Sequence, residues 1–145
     1  MIYVDSCALV KLVITEEKET AALQAYLADR QDEVVTSDLA VTEVIRVVRR
    51  SCYDTQRNLR VDPEVLDERL AAAADLLDHI DRVTVDTDTF ISAGMYADDP
   101  YVGSLDAIHL VCAQEIGPAL TSFVTYDRTL AQAARRSGFP VDQPG

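Results

Sequence analysis

Four acids stand where an acid is least expected. Asp5 closes the apolar run IYVD, Asp127 follows the run FVTY, Asp106 opens the apolar stretch SLDAIHLVCA, and Glu43 interrupts DLAVTEVIRVV with aliphatic Leu39 and Val47 one turn away. Each has an ordinary explanation. Asp5 and Asp127 can cap helices, Asp106 can complement a helix dipole behind a capping Ser104, and Glu43 can pair with Arg46 three residues on. Together they allow a different chemistry. Four carboxylates gathered at one place repel each other and raise their own pKa values unless a divalent cation neutralises them. Oxygen donors without a nearby His or Cys cluster select Mg²⁺ or Mn²⁺ over zinc, and such an ion suits phosphate chemistry.

That gathering needs a fold to bring it about. The chain has 145 residues, 48% hydrophobic and 26% charged, which is enough for one compact domain with a full core spanning residues 1–145. No repeat, low-complexity tract or Pro/Gly-rich linker divides it. Strands are predicted over Ile2 to Asp5, Glu33 to Thr36, Arg82 to Val85, Ser122 to Tyr126 and Phe139 to Val141. Helices are predicted over Ser6 to Ile14, Glu17 to Asp29, Leu39 to Tyr53, Pro63 to His79, Thr87 to Ala97, Leu105 to Ile116 and Arg128 to Ser137. Pro63 after Asp62 is a good helix start, and Gly138 a good stop. Alternation of this kind implies an α/β fold with a mainly parallel central sheet covered on both faces, its ligands beyond the carboxyl ends of the strands. Asp5 and Asp127 then share one edge of the sheet.

The start MIYVD has no basic flank, and no later run approaches the roughly 18 apolar residues of a membrane span, so a cytoplasmic protein with no membrane association is expected. Cys7, Cys52 and Cys112 are odd in number and sit among apolar neighbours, as reduced core thiols would.

The stretches MIYVDSCALVKL, SDLAVTEVIRVVRR, SLDAIHLVCA and FVTYDRTLAQAA, in that order, resemble the PIN-domain ribonucleases, and most closely the VapC toxins of bacterial toxin-antitoxin pairs. The resemblance spans nearly the whole chain. It implies a PIN-like three-layer α/β/α fold and a metal-dependent endoribonuclease, with Asp5, Glu43, Asp106 and Asp127 as the catalytic, metal-holding acids. Ser6 and Thr125 would be hydroxyls near the metal, Mg²⁺ (or Mn²⁺) the cofactor and RNA the substrate. It also implies a homodimer and a cognate VapB-type antitoxin, whose arginine-bearing tail would enter the acid cluster while an apolar segment packs on the early helices. Cys7 departs from the pattern, standing where many relatives carry a second small hydroxyl residue. All four acids are kept, whereas catalytically dead relatives usually lose some.

The arginines make a separate observation. Arg46, Arg49, Arg50, Arg57 and Arg60 fall within fifteen residues holding one acid, Asp54, a local +4 in a chain of −12. They suit a rim that tracks RNA phosphates, with Arg46, Arg49 and Arg50 nearest the acids, or else a solvated face or a dimer contact. His109 shares a helix face with Asp106, but a core histidine satisfied by a backbone carbonyl is the simpler expectation. Tyr53, Tyr96, Tyr101 and Tyr126 could stack on bases or line a core edge.

Two other readings remain. A phosphoacceptor receiver domain also gathers acids around Mg²⁺ but would want a late lysine, and the chain has only Lys11 and Lys18. A non-catalytic RNA-binding or assembly module could hold a structural metal ion with the same acids. For an enzyme, no pair of histidines is placed to assist attack by the RNA's own 2′-hydroxyl, so water is the expected nucleophile, activated at the cation.

Overall fold

The computed structural model describes residues 1–15, 19–96 and 100–145. Five strands form one sheet: β1 (Ile2–Val4), β2 (Val34–Ser37), β3 (Asp81–Val83), β4 (Ser122–Val124) and β5 (Val141–Asp142). Their spatial order is β3-β2-β1-β4-β5, and every pairing is parallel. Seven helices connect them: α1 (Ser6–Val13), α2 (Thr20–Ala28), α3 (Asp38–Ser51), α4 (Pro63–Asp78), α5 (Thr87–Gly94), α6 (Ser104–Ile116) and α7 (Arg128–Arg136). Glu17, Lys18 and Ala97, where two predicted helices were expected to begin or end, lie outside the described residues.

Strand alternation sorts the core into two layers. Ile2 and Val4 on β1 and Val124 on β4 face one cluster with Leu9, Leu23, Val44, Val48 and Leu77 of α1 to α4. Tyr3 and Phe123 point the other way, into a cluster with Leu110 and Cys112 of α6 and Leu130 of α7. Burial on both faces explains why β1 and β4 read as unbroken buried segments rather than alternating ones.

This order places a topological switch point between β1 and β4. From β1 the sheet grows to β2 and β3 on one side and to β4 and β5 on the other, with Val4 level with Val124. A crevice therefore opens at the carboxyl ends of these two strands, where ligands of open α/β sheets collect. Asp5 and Asp127 are the residues that follow.

Local differences from expectation have local causes. The last strand begins at Val141, not Phe139, because Pro140 has no N–H for a ladder; Phe139 N–H instead closes onto Ala134 O, and Pro140 offers its carbonyl to Phe123 N–H. Ser104 is the first residue of α6 and not its cap, which is Gly103. α7 does stop before Gly138, whose φ of +83° is a left-handed terminator. Among the described residues, no helix is long and apolar enough to cross a membrane.

The Phe123 ring stacks between Tyr3 and Phe139, at 5.1 Å and 6.0 Å. Phe123→Ala is expected to destabilise the fold by about 3–5 kcal/mol in urea titration, as a fully buried aromatic leaves a cavity. A loss under about 1 kcal/mol would mean that this aromatic column is not part of the core.

Candidate active site

Asp5 is a carboxylate with 2% exposure, and the fold surrounds it with donors. Its Oδ1 accepts from Ala8 N–H at 2.9 Å, which makes Asp5 the N-cap of α1. Its Oδ2 accepts from the Thr125 hydroxyl, and the Cys7 thiol lies 3.1 Å from both oxygens. Burial raises the Asp5 carboxyl and outweighs the Thr125, Ala8 and Cys7 hydrogen bonds that favour its charge. Burial, and then the charge of Asp5, push the Cys7 thiol up to about 12, so sulfur stays a protonated donor. Cys7 thus departs from the expected apolar thiol: it is half-buried against the acid and does the work of a small hydroxyl. Cys52 and Cys112 are buried, and all three are free.

Asp127 is exposed and caps α7, its Oδ1 accepting from Thr129 N–H at 2.7 Å and Leu130 N–H at 2.9 Å. The Asp127 N–H in turn donates to Thr125 Oγ1 at 3.0 Å. One hydroxyl therefore joins Asp5 and Asp127 across the β1/β4 crevice. For these two acids the capping explanation holds, without removing them from the cleft.

Asp106, in the first turn of α6, is half-buried. Its carboxyl is raised first by burial and then by the charge of Asp127, with Glu43 and Asp5 adding to the effect and His109 opposing it. Asp106 thus feels the other three acids. Glu43, on α3, goes the other way: burial works to raise it, but His109 and the Ser6 hydroxyl carry it below the usual carboxylate range. Its partner is His109, whose Nε2 lies 2.8 Å from Glu43 Oε2, in place of Arg46. His109 is not a core histidine held by a backbone carbonyl; its other nitrogen meets the Tyr3 hydroxyl at 2.8 Å. The spacing from Asp106 to His109 and from Tyr3 to Asp5 was the available clue.

A pocket of about 680 Å³ is lined by two of the four acids, Glu43 and Asp127, with Ser6 and Cys7, and also by Lys11, Arg46 and Arg50; Asp5 and Asp106 are not among its lining residues. Arg46, Arg49 and Arg50 also line a second groove of about 510 Å³ with Tyr53 and Arg57. Two arginines are therefore shared between the acid cleft and the basic groove. Tyr126 lines the cleft with the Lys11 ammonium 4.8 Å over its ring.

The donor set suits a hard divalent cation: carboxylates and hydroxyls, with an Asp106 carboxyl raised first by burial and then by its negative neighbours. Among the described residues, no three His, Cys, Asp or Glu side chains are gathered tightly enough to form a ready-made metal cluster. Two of the acids, Asp5 and Asp127, accept from helix amides through Oδ1.

Comparison with known proteins gives concordant results. The PIN domain family model matches residues 2–136. Ribonuclease VapC47 of Mycobacterium tuberculosis (strain CDC 1551 / Oshkosh) is 36% identical, covering 100% of this chain and 98% of that protein. Ribonuclease VapC35 of the same strain is 38% identical with the same coverage. The crystal structure of Mycobacterium tuberculosis VapC20, titled a Sarcin-Ricin loop cleaving toxin, matches with a TM-score of 0.71 over 99% of this chain and 100% of that one, at 20% identity. At that identity the likeness speaks for the fold.

The raised Asp106 carboxyl has a measurable consequence. Unfolded aspartates titrate near about 3.9, so Asp106 favours the fold below that pH and loses its contribution as pH rises through its higher folded value. In excess chelator at neutral pH, Asp106→Asn is expected to raise Tm by a few degrees, the gain shrinking as pH falls toward 4. A lower Tm for the variant under those conditions would contradict the electrostatic account.

Proposed function

Because the chain belongs to the PIN domain family, we propose that it is a metal-dependent endoribonuclease hydrolysing RNA phosphodiester bonds, the toxin of a type II toxin-antitoxin pair. The observation that carries this reading is the Thr125 hydroxyl that joins Asp5 and the Asp127 amide across the switch-point crevice, with Asp106, raised by burial and then by the charges of Asp127, Glu43 and Asp5, close by. A cleft in that electrostatic state calls for positive charge. Asp5, Asp106 and Asp127, with Glu43 beside them, would hold Mg²⁺ or Mn²⁺. When bound, the cation supplies Lewis acidity toward the scissile phosphate and lowers the pKa of water.

The chain's own residues do the rest. Thr125, bonded to Asp5 and to the Asp127 amide, sets the separation of two acids, and Ser6 helps hold Glu43 ionised. Arg46 and Arg50, at the mouth of the cleft, offer guanidinium groups to the phosphates flanking the bond to be cut, and Arg49 extends the path into the second groove. Histidine plays no proton-shuttling part. The chain has two: His79 is exposed on α4, against Asp75, and His109 is buried with both ring nitrogens engaged. Attack by the 2′-hydroxyl therefore lacks its usual acid-base pair, which leaves water as the nucleophile and 5′-phosphate and 3′-hydroxyl ends as the products.

A cleft this acidic also accepts a cationic side chain in place of a metal, which is how a VapB-type antitoxin would silence it. A homodimer completes the proposed assembly.

The deciding assay compares the parent with Asp5→Asn on RNA, with Mg²⁺ or Mn²⁺ and with chelator, and maps the product ends. The parent is expected to cut only with the cation, and Asp5→Asn to be slower by on the order of 100-fold or more. Full activity in chelator, or 2′,3′-cyclic phosphate ends, would overturn the mechanism. No cleavage by the parent, with intact RNA binding, would favour the non-catalytic module.

Replacing Arg46 and Arg50 with Gln is expected to weaken RNA binding and to flatten the dependence of log affinity on log salt by about 1.4, if each meets one phosphate of a single strand. An unchanged slope would remove both arginines from the RNA path.

A further inference from the structure

Behind the acid cleft lies a polar chain that the reaction described above does not use. Tyr3 of β1, His109 of α6 and Glu43 of α3 touch in series. The Tyr3 hydroxyl is 2.8 Å from His109 Nδ1, and His109 Nε2 is 2.8 Å from Glu43 Oε2. Tyr3 is fully buried and His109 is 2% exposed, so neither reaches a substrate. Each sits one step inward of an acid: Tyr3 two residues before Asp5, His109 three residues after Asp106.

The directions of the hydrogen bonds follow from the groups. An ionised Glu43 carboxylate only accepts, so Nε2–H donates to it. In the neutral imidazole the lone pair left at Nδ1 then accepts a hydrogen bond from the Tyr3 hydroxyl. The Tyr3 ring has little freedom to swing away, being stacked on Phe123 at 5.1 Å and set edge-on to the imidazole at 74°. Three core elements thus fix one nitrogen, and that nitrogen fixes one oxygen of a carboxylate whose side chain is 20% exposed.

We propose that His109, locked in its Nε2–H tautomer by Tyr3, is a positioning residue that holds the Glu43 carboxylate facing the acid cleft. It acts through Glu43 and touches neither cation nor RNA. The role in cation binding rests on reading the cleft as a divalent-cation site; the tautomer and the hold on Glu43 do not. On its own helix the neighbours one turn away, Leu39 and Val47, are aliphatic and restrain only its stem, so the carboxylate is held by His109 and by the Ser6 hydroxyl. With the imidazole in place, one oxygen is fixed and the other is left at a defined position toward the cleft.

The test uses the full chain free of RNA, with Mn²⁺ as the probe. Binding is measured by calorimetry for the parent, Tyr3→Phe, His109→Gln and His109→Leu, alongside thermal unfolding in chelator. His109→Leu is expected to weaken Mn²⁺ binding by about 10–100-fold, the usual effect of removing a partner that orients a ligand. His109→Gln, whose amide still donates to Glu43, is expected to remain within a few-fold of the parent, and Tyr3→Phe to fall between. Parent-like affinity in a folded His109→Leu would overturn the proposal, as would a Gln variant no better than Leu, because packing alone would then explain the histidine. Should His109→Leu fail to fold, Tyr3→Phe decides, since it removes a single oxygen from the core. Should the parent bind no Mn²⁺, the cation reading fails, and the ¹⁵N spectrum of the labelled imidazole decides the positioning claim. The account expects the Nε2–H tautomer in the parent and a mixture in Tyr3→Phe; an Nδ1–H tautomer in the parent would overturn it.

Discussion

A carboxylate has been placed at the centre of the sheet, and much of the structure is arranged to tolerate it. Asp5 is 2% exposed, and an ionised carboxylate in such a place is stable only if its oxygens find donors. Its donors come from two elements. The Ala8 amide and Cys7 thiol require α1 to start immediately after β1, and the Thr125 hydroxyl requires β4 to lie beside β1 in the register that levels Val4 with Val124. A slip of one residue would turn Thr125 away and leave the charge unpaired. The same hydroxyl accepts from the Asp127 amide, so the arrangement that satisfies Asp5 also sets the start of α7.

From that fixed point the electrostatics divide the remaining acids. The charge of Glu43 acts on Asp106, yet the first is held below the usual carboxylate range and the second above it. His109 favours the charge of both, but it hydrogen-bonds Glu43 and leaves Asp106 facing Asp127. Pairs of titratable groups driven apart by their surroundings mark sites with divided roles. In a chain of net charge −12, Arg46 and Arg50 bring positive charge to the lining of the cleft.

The parts of this arrangement that depend on local sequence were legible in it. Asp5 and Asp127 could be placed because each follows an apolar run and precedes a helix, and Glu43 because an acid with aliphatic Leu39 and Val47 one turn away interrupts an apolar helix. The parallel sheet followed from the alternation of short apolar runs with helices. What could not be read depended on contacts far apart in the chain. The partner of His109 is 66 residues away and that of Tyr3 is 106, so a histidine on an apolar helix face looked like an ordinary core residue. Cys7 looked apolar for the same reason, since its neighbour Thr125 is 118 residues distant. The shift of β5 by two residues turned on Pro140, whose missing N–H was visible but whose carbonyl partner on Phe123 was not.

The claim on which the rest depends is that the four acids serve one divalent cation. It is tested most directly by anomalous diffraction from crystals of the RNA-free protein grown with Mn²⁺. The account predicts a single strong anomalous peak in the β1/β4 crevice, with oxygens of Asp5, Asp106 and Asp127 as ligands at about 2.1–2.2 Å and Glu43 beside them. A crevice without a peak at saturating Mn²⁺, or a peak held by other residues, would contradict it.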